Sequence, residues 1–197
     1  MFAAETHTPL AQQLKQQTLA EHLALEDLIV PQIKSVQSIN DYAQLLHLFY
    51  GFNKPVEEAI QKVITPSILP DITKRQKADL LLKDLEAVNH SDQPSVCNDI
   101  PQIQSIEEAF GALYVMEGST LGGKSITQML LKTPVGLQPD QVHFFNAYGK
   151  ETGPMWLSFL SQLNTFNAVQ QQAVIIDTAR ETFIKFKNWI LQQVPQQ

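Results

Sequence analysis

The sequence predicts a single all-α domain, on three observations. Apolar residues recur at intervals of three and four along most of the chain. No stretch alternates apolar and polar residues as a half-buried strand would. Capping residues ahead of the apolar runs, and prolines behind them, divide the chain into about seven helices. With 197 residues, 44% of them apolar, the chain is long enough for one domain, 1–197, with its own core.

Residues 1–8 read as a loose terminus. Thr8-Pro9 opens the first helix, with proline in the first turn where its missing N–H costs nothing. That helix is predicted to run to Val30 and stop before Pro31, burying Leu10, Leu14, Thr18, Leu25, Leu28 and Ile29. Ser38-Ile39-Asn40-Asp41 caps a second helix reaching Ile64, with Gly51 and Pro55 marking a kink. Pro66 and Pro70 make a break. Residues 71–88 form a third helix with Lys74, Lys77 and Lys83 on its outer face. Asn89 to Pro101 is a polar loop holding Pro94 and Cys97. A long helix spans 105–132, opened by the capping-box pattern Ser105-Ile106-Glu107-Glu108. Short helices at 140–147 and 155–163 flank the turn Tyr148 to Pro154. A last helix covers 167–191, with Val169, Ala173, Ile176, Phe183, Phe186 and Ile190 inside.

The helix at 105–132 carries the unusual feature. Three of the chain's eight glycines, Gly118, Gly122 and Gly123, fall within it. Each costs a helix about 1 kcal/mol relative to alanine. Two readings compete. Gly118 to Ser125 matches the phosphate-loop pattern G-x-x-x-x-G-K-[ST], with Val174 to Asp177 posing as the strand and acid that hold magnesium. A phosphate loop follows a strand, however, and the flanking residues Phe110, Leu113, Tyr114, Ile126, Met129 and Leu130 have helical spacing. The favoured reading is a helix stripped of side chains on one side. Gly118 and Gly122 share a face, so a flat ligand can lie almost against the backbone. The bland alternative is that the glycines only let two helices pack closely.

Composition narrows the function. The net charge of −6 opposes nonspecific nucleic-acid binding, which needs a basic footprint. One cysteine, Cys97, forms no internal disulfide and no cysteine-rich metal site. The first 30 residues hold no apolar signal core, and no run of 18 apolar residues exists. The expectation is a cytoplasmic protein without membrane insertion. No Glu-x-x-His pair suggests a carboxylate di-iron bundle. His47 and His143 have no carboxylate at ligand spacing and read as structural. Lys124 reads as solvent-facing. Asp177, Arg180 and Glu181 read as a solvated helix face, and Trp156, Trp189 and the phenylalanines as core.

On the first helix, Lys15, His22 and Glu26 are spaced by seven and four. They project in roughly one direction beside the apolar face, with about 10 Å of axis between the first two. A lone histidine there is ordinarily structural. Glu26 one turn on is placed to orient its ring toward a metal, and Lys15 two turns back to meet an anionic tail of the same ligand. Thr18-Leu-Ala-Glu-His22-Leu-Ala-Leu-Glu26 resembles the proximal helix of heme oxygenases. Tyr114-Val-Met-Glu-Gly118-Ser-Thr-Leu-Gly122-Gly123 resembles their distal helix. Phe144-Phe145, Tyr148-Gly149, Thr152-Gly153, Trp156 and Phe159 are similar to the bacterial, bacteriophytochrome-associated branch. The resemblance spans roughly residues 10–193.

The resemblance implies heme held between the two helices as both substrate and cofactor. His22 would be the axial iron ligand, Lys15, Glu26 and Tyr148 would help bind the heme, and Gly118, Ser119 and Gly122 would form the catalytic distal face. It implies cleavage to biliverdin, iron and CO, using O₂ and an electron donor such as ferredoxin or a reductase. Neutral imidazole leaves iron able to bind O₂. Two positions depart from the family pattern: Ser119 stands where many members carry aspartate, and Met155, Leu157 and Ser161 stand where propionate-binding cations are usual. These departures keep a rival in view, a heme-binding carrier or sensor that does not degrade heme. Thiaminase-like relatives, which lack the histidine, and a nucleotide-binding phosphate loop are the remaining alternatives.

Overall fold

The computed structural model describes residues 8–193 apart from Ser91 and Gln93. All regular structure among them is helical: α1 (Leu10–Gln17), α2 (Leu19–Lys34), α3 (Ile39–Gln61), α4 (Ala78–Ala87), α5 (Ile106–Gly118), α6 (Gly123–Leu131), α7 (Thr152–Leu163) and α8 (Val169–Gln193), with short 3₁₀ turns between. Taking α1 and α2 as one interrupted run gives the seven-helix, all-α bundle expected. The strand that a phosphate loop requires is absent from the described residues, and Val174 to Asp177 lies within α8. Except for Thr8, the expectation for residues 1–8 falls outside the described residues.

The long helix α8 is the spine. It lies along α5 and also meets α1, α2 and α3. Gly111 permits the α5 approach: a Cβ there would sit 2.5 Å from the Ile175 carbonyl oxygen and 2.8 Å from Thr178 Cβ. Phe52 stacks on Phe186 at 4.5 Å between centroids, and Phe49 meets Phe145 and Phe186 edge-on. Trp189 is buried, and its indole N–H donates to the Leu48 carbonyl at 2.9 Å.

Several boundaries differ from expectation, each for a local reason. The first helix breaks at Thr18, whose hydroxyl bonds back to the Leu14 carbonyl at 2.8 Å. It then passes through Pro31 to Lys34 rather than stopping at Val30. Pro31 and Asp27 are exposed, so the one backbone bond lost there leaves a carbonyl facing water. In α3, Pro55 deprives the Gly51 carbonyl of its helical donor, and Cys97 N–H replaces it at 2.8 Å. The predicted helix 140–147 is instead a 3₁₀ turn, Pro139–Gln141, followed by further turns. The fully buried Asp84 carboxylate takes the N–H groups of His143 and Phe144 at 2.8 and 2.9 Å, anchoring a non-helical path.

The predicted helix 71–88 divides into a 3₁₀ turn, Ile72–Arg75, and α4. Between them Gln76 is extended, at φ −80° and ψ 116°. Glu57 of α3 accepts from the N–H groups of Lys77 and Ala78 and so caps α4 from outside, at 2.8 and 3.1 Å. Lys77, expected on the outer face, is buried. Arg75 and Lys77 are two apart, so no single helix could aim both the same way. An extended Gln76 does.

Candidate functional site

The proximal segment presents its residues to solvent. His22 on α2 is 46% exposed at its side chain, and its Nε2 lies 3.6 Å from a Glu26 oxygen, beyond hydrogen-bond range. The Phe183 ring supports the imidazole edge-on at 5.6 Å. Leu19 and Leu23 are about half exposed alongside. Below them, Glu21 accepts from Arg180 Nε of α8 at 2.9 Å. Burial pushes the Glu21 carboxyl up, but backbone donation and Arg180 outweigh it and leave it below the usual range. Arg180 therefore ties α8 to α2 rather than standing free on a solvated face. Lys15 is exposed on α1, beyond the Thr18 break from His22. The helical bonds from Thr18 N–H to Leu14 and from His22 N–H to Thr18 survive at 2.9 Å, so the break is shallow.

The distal segment is the notched stretch. The single helix expected over 105–132 is α5, a 3₁₀ turn at Ser119–Gly122, and α6. The Ser105 capping box is present as predicted. In the tightened turn, Ser119 donates its hydroxyl to the Met116 carbonyl at 2.8 Å, and Thr120 to the Glu117 carbonyl at 2.7 Å. The three glycines are not alike. A Cβ on Gly118 would meet only the Trp156 ring, at 3.8 Å, and one on Gly122 only Ile126 Cδ1, at 4.0 Å. A Cβ on Gly123 would collide with the Phe145 carbonyl oxygen. Two glycines therefore keep a surface bare, and the third is a packing contact. Leu121 adds half-exposed apolar surface. The α2 and α6 helices touch, and α6 is the helix that follows the glycine turn. Lys124 is exposed, as expected.

Behind this turn lies a charged cluster that sequence reasoning missed. Glu117 is 1% exposed. Its carboxylate accepts from Arg75 Nη1, from Lys77 Nζ at 2.5 Å and from the Tyr148 hydroxyl at 2.9 Å. Lys77 spends its other two protons on the Arg75 carbonyl at 3.0 Å and the Tyr148 oxygen at 3.2 Å. Arg75 also forks onto Asp71, at 2.8 and 2.7 Å, and reaches the Met155 carbonyl of α7 at 3.2 Å. Burial disfavours the Arg75 charge, but Asp71 and Glu117 more than restore it. Burial and the neighbouring Glu117 charge push the Tyr148 phenol well up. Tyr148, expected to help hold the ligand, directs its hydroxyl at Glu117. Arg75 is one of only two arginines in the sequence, the one available signal.

His143, which has no carboxylate at ligand spacing along the sequence, meets one in space: its Nδ1 lies 2.7 Å from Asp84. The two are 59 positions apart, beyond any local spacing rule. Trp156 is partly buried, against Tyr114 and Phe159. No helix among the described residues is long and apolar enough to cross a membrane.

The all-α bundle is a fold shared with solved structures. The NO- and CO-bound heme oxygenase of Neisseria meningitidis superposes with a TM-score of 0.77 at 22% identity, covering 95% of this chain and 92% of that one. The heme oxygenase of Leptospira interrogans gives 0.73 at 17%, covering 94% and 100%. Heme oxygenase-1 of the cyanobacterium Synechocystis, in complex with heme, gives 0.71 at 15%, covering 94% and 92%. At these identities the likeness is one of fold. The heme oxygenase family model matches residues 8–192, and the chain belongs to the heme oxygenase family. It is also 31% identical over 104 residues to a heme oxygenase of Xanthomonas campestris, a match spanning 53% of this chain and 61% of that protein.

Proposed function

We propose that this protein binds heme between α2 and the turn at 118–122 and opens it to biliverdin, iron and CO, with O₂ and electrons from a ferredoxin or reductase. The observation that carries this reading is the pairing of an accessible histidine with two glycines whose missing Cβ atoms face no close neighbour. Half-exposed Leu19, Leu23 and Leu121 supply apolar surface of the kind a flat macrocycle would cover. These residues fit the group. When bound, heme supplies the iron that takes up O₂ and the ring carbon that is oxidised.

The chain's own residues have distinct tasks. His22 would offer an imidazole nitrogen to the iron, and the Phe183 ring beside it limits its swing. Glu26, one turn on, would help to orient the imidazole. Gly118 and Gly122 let the backbone approach the ligand face, which restricts where O₂ is accommodated and keeps water out. Ser119 has lone pairs free to accept, while its proton is directed at the Met116 carbonyl. It can hold a water as acceptor, and it gives up a proton only by rotating away from that carbonyl. Lys15 is the exposed cation on the histidine side for a propionate, a contact worth about 1 kcal/mol or less. The biliverdin formed would suit a bacteriophytochrome pathway.

The commitment of both the Ser119 and Thr120 protons to backbone carbonyls favours a second reading, a heme carrier or sensor without turnover. One experiment separates the two. Purified protein and a His22→Ala variant are titrated with hemin, then supplied with ascorbate or a reductase system in air. A Soret band that needs His22, then decays into the red absorbance of biliverdin, supports the enzyme. A His22-dependent band that persists under reductant supports the carrier. No band at all overturns both.

A further inference from the structure

The buried cluster behind the distal turn has a task beyond stability. Three segments converge on it. Arg75 and Lys77 come from the break between the 3₁₀ turn and α4, Glu117 from the last turn of α5, and Tyr148 from the turn before α7. Arg75 also holds the first turn of α7 through the Met155 carbonyl, while Asp71 accepts from Ser158 of the same helix at 3.3 Å. Glu117 directly precedes Gly118, and Met155 directly precedes Trp156, whose ring is what a Cβ on Gly118 would meet. One network therefore holds both the bare glycine and the aromatic ring beside it.

A second anchor lies at the other end of the turn. Gly123 is seated on the Phe145 carbonyl, and the neighbouring N–H groups of His143 and Phe144 are held by Asp84 of α4. The stretch 118–122 is thus strung between two fixed points, both tied to the region of α4. Its own residues contribute little: apart from the Ser119 and Thr120 bonds to their own helix, none is buried.

We propose that Glu117 is a positioning residue for the heme reaction, holding the 118–122 turn and Trp156 at a fixed height above the ligand through Arg75 and Lys77. The inference rests on the heme oxygenase reading given above. Its direct consequence is selectivity. A turn that is no longer held changes how the ligand is confined, so the biliverdin isomer ratio registers the clamp. Glu117 touches no substrate in this role. It acts through Gly118.

The test compares the wild type with Glu117→Gln, which keeps shape and removes charge. Lys77→Met keeps volume with one partner fewer, and decides the matter if Glu117→Gln fails to fold. Amide hydrogen exchange of the ligand-free proteins is read for 118–123 and for 155–158, with the middle of α3 as internal reference. The biliverdin isomers formed from hemin are then separated chromatographically. The expected result is exchange at least tenfold faster at 118–123 and 155–158, α3 unchanged, with a single wild-type isomer giving way to a mixture. Equal acceleration in α3, or unchanged isomer ratio beside locally faster exchange, would reduce the cluster to a structural element and overturn the proposal. Failure of the wild type to form biliverdin would overturn the underlying reading instead, whatever the exchange data show.

Discussion

The two walls of the site are built by opposite means. The proximal wall has a half-exposed histidine, a carboxylate 3.6 Å away, exposed leucines and an outlying lysine. The distal wall is equally bare on its ligand side. Behind it, one carboxylate at 1% exposure gathers an arginine, a lysine and a tyrosine. On the proposed function, the difference follows from what each wall must do. A histidine that ligates an incoming metal must keep a lone pair free, so it cannot be consumed by protein partners. A backbone turn that crowds a ligand has no side chain to hold it and must be held from behind. Charged pairs in a dry setting suit that task, because every partner is directional and losing one is costly.

The largest effect should come from cutting the distal support. Glu117→Ala would leave Arg75 and Lys77 buried around a void. Such a loss costs about 3–5 kcal/mol. A urea melt should show the midpoint falling steeply. A change below about 1 kcal/mol would mean water already screens the cluster, and the contrast between the walls would fail.

The glycines sharpen the same comparison within one turn. Gly123→Ala must displace the Phe145 backbone, an overpacking cost of about 1–3 kcal/mol. Gly122→Ala has open space and gains helix propensity, so stability should hold or rise by up to about 1 kcal/mol. Hemin affinity should move the other way, since the new methyl group stands on the surface proposed for the ligand. A thermal melt and a hemin titration on both variants check the pair. Equal stability loss in both would return the glycines to a single packing role.

His22→Ala is the proximal counterpart. The side chain is half exposed with no buried partner to orphan, so stability should stay within about 0.5 kcal/mol. Hemin binding should weaken by at least about tenfold, the scale reached when even an outer partner of a metal ligand is removed. Retained affinity with an unchanged Soret band would remove His22 from the site.

The sequence and the structure agree on several short-range signals, though not at Pro31, where the helix runs on to Lys34. Helical periodicity and the Ser38 and Ser105 caps are short-range properties, and each is present as read. The glycine notch and the histidine with its acidic neighbour are legible for the same reason, as spacings within one or two turns. The charged cluster is not. Glu117 meets partners 42, 40 and 31 positions away, and no periodicity joins them. A continuous helix through Gln76 would put Lys77 outside, and one extended residue reverses it. The helix missing at 140–147 has the same origin, since Asp84 captures its N–H groups from 59 and 60 positions off. Local patterns point to the walls of the proposed site, and long-range polar contacts hold the distal one.

Acid probes the distal support more gently. Burial pushes the Asp71 carboxyl up, but the hydrogen bonds and charge of Arg75 pull it further down, so in the folded chain it lies below its ordinary value. A carboxyl lowered by folding adds stability that is fully present above its unfolded pKa, about 3.9, and is lost as pH falls through the lower folded value. Asp71→Asn should therefore flatten the acid limb of the stability–pH curve below about pH 4. At neutral pH the variant should cost only about 1 kcal/mol, because Arg75 keeps Glu117 and the Met155 carbonyl. Melts at pH 3 to 7 on both proteins would check this. If the two curves stay parallel throughout, Asp71 does not feel Arg75, and the support behind the distal wall narrows to Glu117, Lys77 and Tyr148.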